Sequence, residues 1–292
     1  MSSNRLRRSD LVAPFRGVRA SADVELDDVD RLRAFALTMS PEAFFTGASA
    51  ARLYRLWLPR RLERDPSIHV AWLTGGGGRR RGRDVVGSQV APGVVRVIRH
   101  LDVRVVTPAD AWAELAGVLT VPELVVLGDQ LVRRERPLAT PDQLAAALAR
   151  RPLRRGSQRL RLALDQVVPG TDSVKETELR LLLIGAGFPM PTVNHVLLDR
   201  EGEFLARLDL AWEEYRVGAE YDGGQHRTDD VQFRRDIDRL DRVADHHWRV
   251  LRAGQHHLSA PADFLDRLDR ALRERGWPGP ATHRTRRPAP RT

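Results

Sequence analysis

Leu208–His226 reads LDLAWEEYRVGAEYDGGQH, and its reading decides the fold of the second half of the chain. Its two arms, ending at Ala211 and beginning at Arg216, read as two neighbouring strands joined by a tight turn. A turn between Glu214 and Tyr215 places residue 209 directly opposite residue 220. Strand side chains alternate faces, so Glu220 and Asp222 share one face with Arg216 and Gly218. Asp209, Glu220 and Asp222 then gather within cross-strand distance, with His226 just beyond. Like charges repel unless a cation or a proton intervenes, so clustered carboxylates on a sheet point to a metal-dependent site. Oxygen-only ligation suits Mg²⁺ or Mn²⁺, which keep waters for chemistry.

Around this stretch the spacing predicts a helix over Ser173–Gly185, opened by Ser173 and Glu176 at capping-box spacing. Strands are predicted over Thr192–Leu198, Ala206–Ala211 and Arg216–Tyr221. A charged helix over about 230–245, a strand over Trp248–Ala253 and a helix over Pro261–Arg275 follow. The order is α-β-β-β-α-β-α around a small mixed sheet, preceded by a helix near 159–167.

The first half reads as a smaller mixed α/β region over 26–150. Helices are expected over Asp27–Met39 and Gly47–Leu56, and strands over Ile68–Leu73, Val94–Ile98 and Val103–Val106. Gly75–Arg83 reads as a Gly/Arg-rich loop, and Phe15–Val18 as a short strand within a basic segment, 1–25. Thr107-Pro108 and Thr140-Pro141 each set an N-cap residue before a first-turn proline, so helices should run over about 108–118 and 141–150, with another near 122–134 between them. Arg150–Gln158 (RRPLRRGSQ) is the linker candidate, and 151–170 is expected to hold linker and connecting helix. The tail 278–292 is Pro- and Arg-rich and expected to be disordered.

Composition bounds the partners. The chain of 292 residues has 48 Lys+Arg against 39 Asp+Glu, a formal charge of +9 that fits a polyanion such as DNA. Lys175 is the only lysine, so the arginine excess also fits a GC-rich coding bias. There are no cysteines, which excludes disulfides and thiolate zinc sites. No apolar run approaches the ~20 residues that span a bilayer, and cytoplasmic residence with no membrane partner is the expectation.

Asp209, Glu220-Tyr221-Asp222-Gly223 and His226 resemble the very-short-patch-repair (Vsr)-like endonuclease domains of the PD-(D/E)xK restriction-endonuclease-like superfamily. The resemblance covers about Thr171–Trp277, expected as one domain over 171–277. Ser173–Arg180 (SVKETELR) looks like the family's Ser-x-x-Glu-Thr-x-Leu-Arg helix, and Gly185–Pro189 (GAGFP) leads into the sheet. Asp236–Arg239 (DIDR) is similar to its Asp-x-x-Arg helix, and Trp248–Arg252 (WRVLR) to its Trp-x-Val-x-Arg strand. The resemblance implies metal-dependent hydrolysis of DNA phosphodiesters. Asp209 and Glu220 would be metal ligands with Asp222 beside them, Glu176 a supporting acid, and His226 a catalytic or phosphate-contacting group. The superfamily's lysine, two residues after the acid, is replaced by Asp222, and Vsr-like members often rely on histidine instead.

Arg234, Arg235 and Arg239 could contact phosphates, but they alternate with Asp229, Asp230, Asp236, Asp238 and Asp241 at helical spacings, which equally describes a solvated, salt-bridged face. Glu176 has a plain alternative as a capping acid, and Asp222-Gly223 as turn chemistry. Phe45–Pro59 (FTGASAARLYRLWLP) is similar to a segment of AbiEi-type antitoxin proteins, which implies targeting or partner binding in a defence or toxin–antitoxin system. Two readings therefore stand: an Mg²⁺-dependent endodeoxyribonuclease of repair, restriction or defence, and a non-catalytic DNA-binding, antitoxin-like regulator that uses a nuclease fold as scaffold.

Overall fold

The computed structural model describes residues 10–75, 84–151, 155–223, 239 and 241–279. The chain is mixed α/β and divides into two compact units, with the boundary between Pro169 and Gly170.

The first unit opens with a small hairpin, β1 (Leu11–Val12) and β2 (Ala20–Ser21), paired antiparallel. Residues 15–18, expected as a strand, form the turn between them. Gly17 sits at φ +85°, and the Val18 N–H returns to the Phe15 carbonyl at 3.0 Å. The remaining elements are α1 (Asp28–Ala36), β3 (Phe44–Phe45), α2 (Gly47–Leu53), α3 (Arg60–Glu63), β4 (Ile68–Leu73), β5 (Val85–Val90), β6 (Val97–His100), β7 (Val103–Val106), α4 (Pro108–Leu115), α5 (Val121–Leu131), α6 (Pro141–Ala149) and α7 (Ser157–Leu164). The larger sheet has the order β5-β4-β3-β7-β6. β6 begins later than its β-branched run suggested, because Pro92-Gly93 closes a turn in which Val94 N–H donates to Ala91 O.

Thr107 and Thr140 cap α4 and α6 as their Thr-Pro spacing predicts, the Thr107 hydroxyl accepting from Asp110 N and the Thr140 hydroxyl from Gln143 N. α5 is capped by Thr120 and Glu123 in a reciprocal box. It buries Leu124, Val125, Leu127 and Leu131, the burial expected of a central helix. α7, inside the segment expected as linker and connecting helix, packs on α5 and α6 and so belongs to the first unit. Arg150 and Arg151 are likewise held there, Arg150 on Asp110 at 2.7 Å and Arg151 on Glu114 at 3.4 Å.

The second unit comprises α8 (Val174–Gly185), β8 (Thr192–Leu198), β9 (Phe204–Trp212), β10 (Val217–Tyr221), β11 (Arg249–Ala253), α9 (Gln255–Ser259) and α10 (Ala262–Arg273). Residues 239 and 241–245 are helical; the rest of the helix expected over 230–245 lies outside the described residues, as does 280–292 of the tail. The strand order is β11-β10-β9-β8, with β10 and β11 parallel and the other pairs antiparallel.

Each sheet face has its own core. On one, Leu179 and Leu183 of α8 and Phe264, Leu268 and Leu272 of α10 meet Leu210, Trp212, Val217, Ala219 and Leu251. On the other, Leu197, Leu205, Ala206, Leu208 and Ala211 pack with Val243, flanked by Trp248 and Val250. Helices thus cover the sheet on both sides, and apolar burial is the main force that fixes its register.

Candidate functional site

β9 and β10 pair as Val217↔Trp212, Gly218↔Ala211 and Ala219↔Leu210. This is the register in which residue 209 falls opposite residue 220. The turn is a short 3-10 segment, Glu213–Tyr215, closed by Arg216 at φ +48°.

At Asp209 the strand departs from simple alternation. Leu208 packs in one core and Leu210 in the other. Across from it on β8, Asn194 takes φ +48°, and the pairing steps from Val193↔Leu210 to His195↔Leu208 without joining 194 to 209. Asparagine tolerates the left-handed region, and its presence in the β-branched run TVNHVLL was the available signal for this break. Where the ladder ends, Tyr221 N–H donates to Asp209 Oδ2 at 2.7 Å.

Glu176 is buried at the start of α8. Its backbone N–H donates to the Ser173 hydroxyl at 3.2 Å, so Ser173 is an N-cap. Its carboxylate does not complete the expected capping box but accepts from Asp172 N at 2.9 Å and from Asn194 Nδ2 at 3.0 Å, and Asn194 Nδ2 also donates to Gly170 O at 2.9 Å. Burial, then the negative charge of Glu176 and, more weakly, of Glu220, push the Asp209 carboxyl from 3.8 up to about 7, against the pull of the Tyr221 N–H and Arg239.

Glu220, also buried, is held by two cations. Arg239 donates from Nη1 to Oε1 at 2.6 Å and from Nη2 to Oε2 at 3.0 Å. Arg252, its register partner on β11, brings Nε to 3.9 Å from Oε2. Of the arginines considered as phosphate contacts, Arg239 therefore lies on a carboxylate of the site itself, while Arg234 and Arg235 fall outside the described residues, as does His226. Asp222 stands at the end of β10, its N–H donating to Ala253 O at 2.8 Å. Glu176 and Glu220 thus lie near enough to Asp209 to raise its carboxyl, Arg252 of the Trp-x-Val-x-Arg strand stands beside Glu220, and Asn194 is a supporting residue that sequence reasoning did not single out.

Elsewhere in the second unit the adjacent pairs His246-His247 and His256-His257 make local contacts: His257 Nδ1 accepts from Gly254 N at 2.9 Å, and His246 Nδ1 lies 2.9 Å from Arg242 O. Among the described residues no three His, Asp or Glu side chains are grouped as ligands of one ion. Carboxylate oxygens are donors that a hard cation takes, and Asp209 offers them on a buried group whose acid neighbours disfavour its charge. No helix among the described residues is long and apolar enough to cross a membrane.

No protein-family model matches the chain. Two relatives were found. The uncharacterized proteins MT2308 and Rv2248, from the CDC 1551 and H37Rv strains of Mycobacterium tuberculosis, are each 26% identical over 248 residues, covering 84% of this chain and 86% of their own length. Because 248 residues exceed the 169 of the first unit, the likeness extends into the second.

Proposed function

We propose that the chain is a metal-dependent DNA endonuclease or nickase whose chemistry resides in the second unit. The observation that carries this reading is Asp209, whose carboxyl is lifted to about 7 by burial and by Glu176 and Glu220. A divalent cation would relieve that repulsion and favour the ionised form. The sequence resemblance over 171–277 and the charge of +9 support the same reading.

Asp209 and Glu220 would hold Mg²⁺ or Mn²⁺, with Asp222 and Glu176 assisting. When bound, the ion would polarise the scissile phosphate and supply an activated water. Asn194 orients the Glu176 carboxylate, and the Tyr221 N–H fixes one oxygen of Asp209. A role for His226 in moving the proton of the water or leaving group rests on the sequence resemblance alone. The first unit would supply targeting or bind a protein partner in a defence or toxin–antitoxin system, and the cytoplasm is the proposed compartment.

One observation favours the second reading, a DNA-binding regulator on a nuclease-like scaffold: Glu220 is already neutralised by Arg239. Nicking of supercoiled plasmid in Mg²⁺ or Mn²⁺, with Asp209→Ala and Glu220→Ala alongside, separates the two. Metal-dependent cleavage lost in both variants supports the nuclease. Absence of cleavage with salt-sensitive DNA binding intact supports the regulator.

A further inference from the structure

Glu220 sits at the intersection of two demands. As a proposed ligand it must offer oxygens to a divalent ion, yet both of its oxygens accept from the Arg239 guanidinium, at 2.6 and 3.0 Å. A bidentate Arg–carboxylate pair is among the stronger charge-assisted contacts in proteins, and this one lies where the carboxylate is only 11% exposed. A second positive charge brought against the same oxygens would meet the guanidinium by like-charge repulsion. Arg239 and a divalent ion would therefore compete for the same two oxygens.

The guanidinium also has another destination. A phosphodiester presents the same two-oxygen edge as a carboxylate, and the Arg fork matches both. Arg252, 3.9 Å from Oε2, stays close enough to keep some positive charge near Glu220 when Arg239 departs.

We propose that Arg239 is an internal counter-cation that holds Glu220 in the absence of metal and exchanges this carboxylate for a backbone phosphate of the substrate, so that divalent metal and DNA bind cooperatively. The inference rests on the endonuclease reading and deepens it. It makes Arg239 a positioning residue with two partners, and it keeps the site neutralised until a polyanion is present. Linkage requires the coupling to be reciprocal: DNA strengthens metal binding by the factor by which metal strengthens DNA binding.

The test is Mn²⁺ binding by the full chain, read from the paramagnetic resonance signal of free Mn²⁺, with and without a short DNA duplex. Wild type should bind Mn²⁺ weakly alone and more tightly with the duplex. Arg239→Gln should bind Mn²⁺ at least about tenfold more tightly than wild type without DNA, the low end of what a hydrogen bond to a charged group contributes, and gain less from the duplex. Glu220→Gln added to Arg239→Gln should abolish that gain. Circular dichroism checks each fold. If Arg239→Gln does not fold, Arg239→Lys, which keeps the charge but not the fork, should give a smaller gain in the same direction. Arg239 variants that fold and bind Mn²⁺ no more tightly than wild type overturn the counter-cation role while leaving the nuclease reading standing. Mn²⁺ binding that is absent from every variant, or indifferent to Glu220→Gln, removes the metal site itself and the nuclease reading with it.

Discussion

Leu208 and Leu210 lie two residues apart in one strand and pack into different cores, Leu208 with Leu197, Ala206 and Val243, and Leu210 with Leu179, Leu183 and Phe264. In a regular strand such a pair shares a face. The residue between them is Asp209. Its Oδ2 accepts from the Tyr221 N–H at 2.7 Å. An acid that regular alternation would place on Glu220's face alone thus feels both Glu220 on the sheet and Glu176 on the helix opposite.

Across the pair on β8, Asn194 marks the same break. Its φ of +48° is strained for a β-branched residue, and its amide donates to Gly170 O and Glu176. Asn194→Val should destabilise the second unit by about 2–3 kcal/mol, combining backbone strain with a buried carboxylate that has lost a donor. Asn194→Gly keeps the backbone and should lose only part of this. Urea denaturation of the three proteins measures it, and equal midpoints would show that the break does not need the asparagine.

Much of this fold was legible in the sequence where the cause is local. Thr-Pro pairs announce α4 and α6, and the β9–β10 register follows from a turn centred between Glu214 and Tyr215. The strand Val85–Val90 escaped, because VVGSQV sits on a sheet edge with half its residues exposed and carries no clean alternation of apolar and polar side chains. Asp209, Glu220 and Asp222 could be named from their strand spacing, and Glu176 from the resemblance alone. Their surroundings could not: Arg239 reaches Glu220 across 19 positions and Asn194 reaches Glu176 across 18. Such pairings are decided by tertiary packing, not by any window of sequence.

Gly218 sits at a close approach of side chains rather than at a special backbone conformation. A Cβ there would stand 2.7 Å from Leu208 Cδ1 and 3.5 Å from Val250 Cγ2. Gly218→Ala should therefore cost about 1–3 kcal/mol as overpacking. Leu208→Ala in the same chain should relieve part of that cost, because it removes the atom in the way. A thermodynamic cycle over the two positions, in urea, should return a favourable coupling; strict additivity would mean the two side chains do not meet.

In the first unit Asp110 is fully buried. Its Oδ2 accepts from Arg96 N at 2.9 Å and from the Thr107 hydroxyl at 2.7 Å, and its Oδ1 from Arg150 Nη2 at 2.7 Å. Asp110→Ala leaves the Arg96 N–H and the Arg150 guanidinium without their acceptor and should cost about 3–5 kcal/mol. Pairing it with Arg150→Met should recover part of the loss, since no uncompensated charge then remains. Calorimetry on the single and double variants gives the comparison, and a double variant as unstable as the sum of the singles would argue against a coupled pair.

Asp209 gives the chain a pH dependence whose sign is fixed by its environment. Its carboxyl is raised in the folded protein from 3.8 to about 7, facing Glu176, Glu220 and Arg239. Between these two values the folded state binds more protons than the unfolded one, so stability falls as pH rises. Below pH 4 both states are protonated and the effect vanishes; above pH 7 both are ionised and the full penalty applies, of the order of 4 kcal/mol at about 1.4 kcal/mol for each pH unit. Asp209→Asn keeps an oxygen for the Tyr221 N–H and cannot ionise. By the same linkage its melting temperature should exceed that of wild type modestly at pH 5, where part of the penalty already applies, and by several degrees more at pH 8. Mg²⁺ should reverse the order at pH 8, because an ion bound at Asp209 stabilises the ionised wild type and has less to hold in the variant. Thermal melts at the two pH values, with Mg²⁺ and with EDTA, read both effects. An Asn variant that tracks wild type across all four conditions would mean that Asp209 carries no charge burden and that the acids around it do not act as a group.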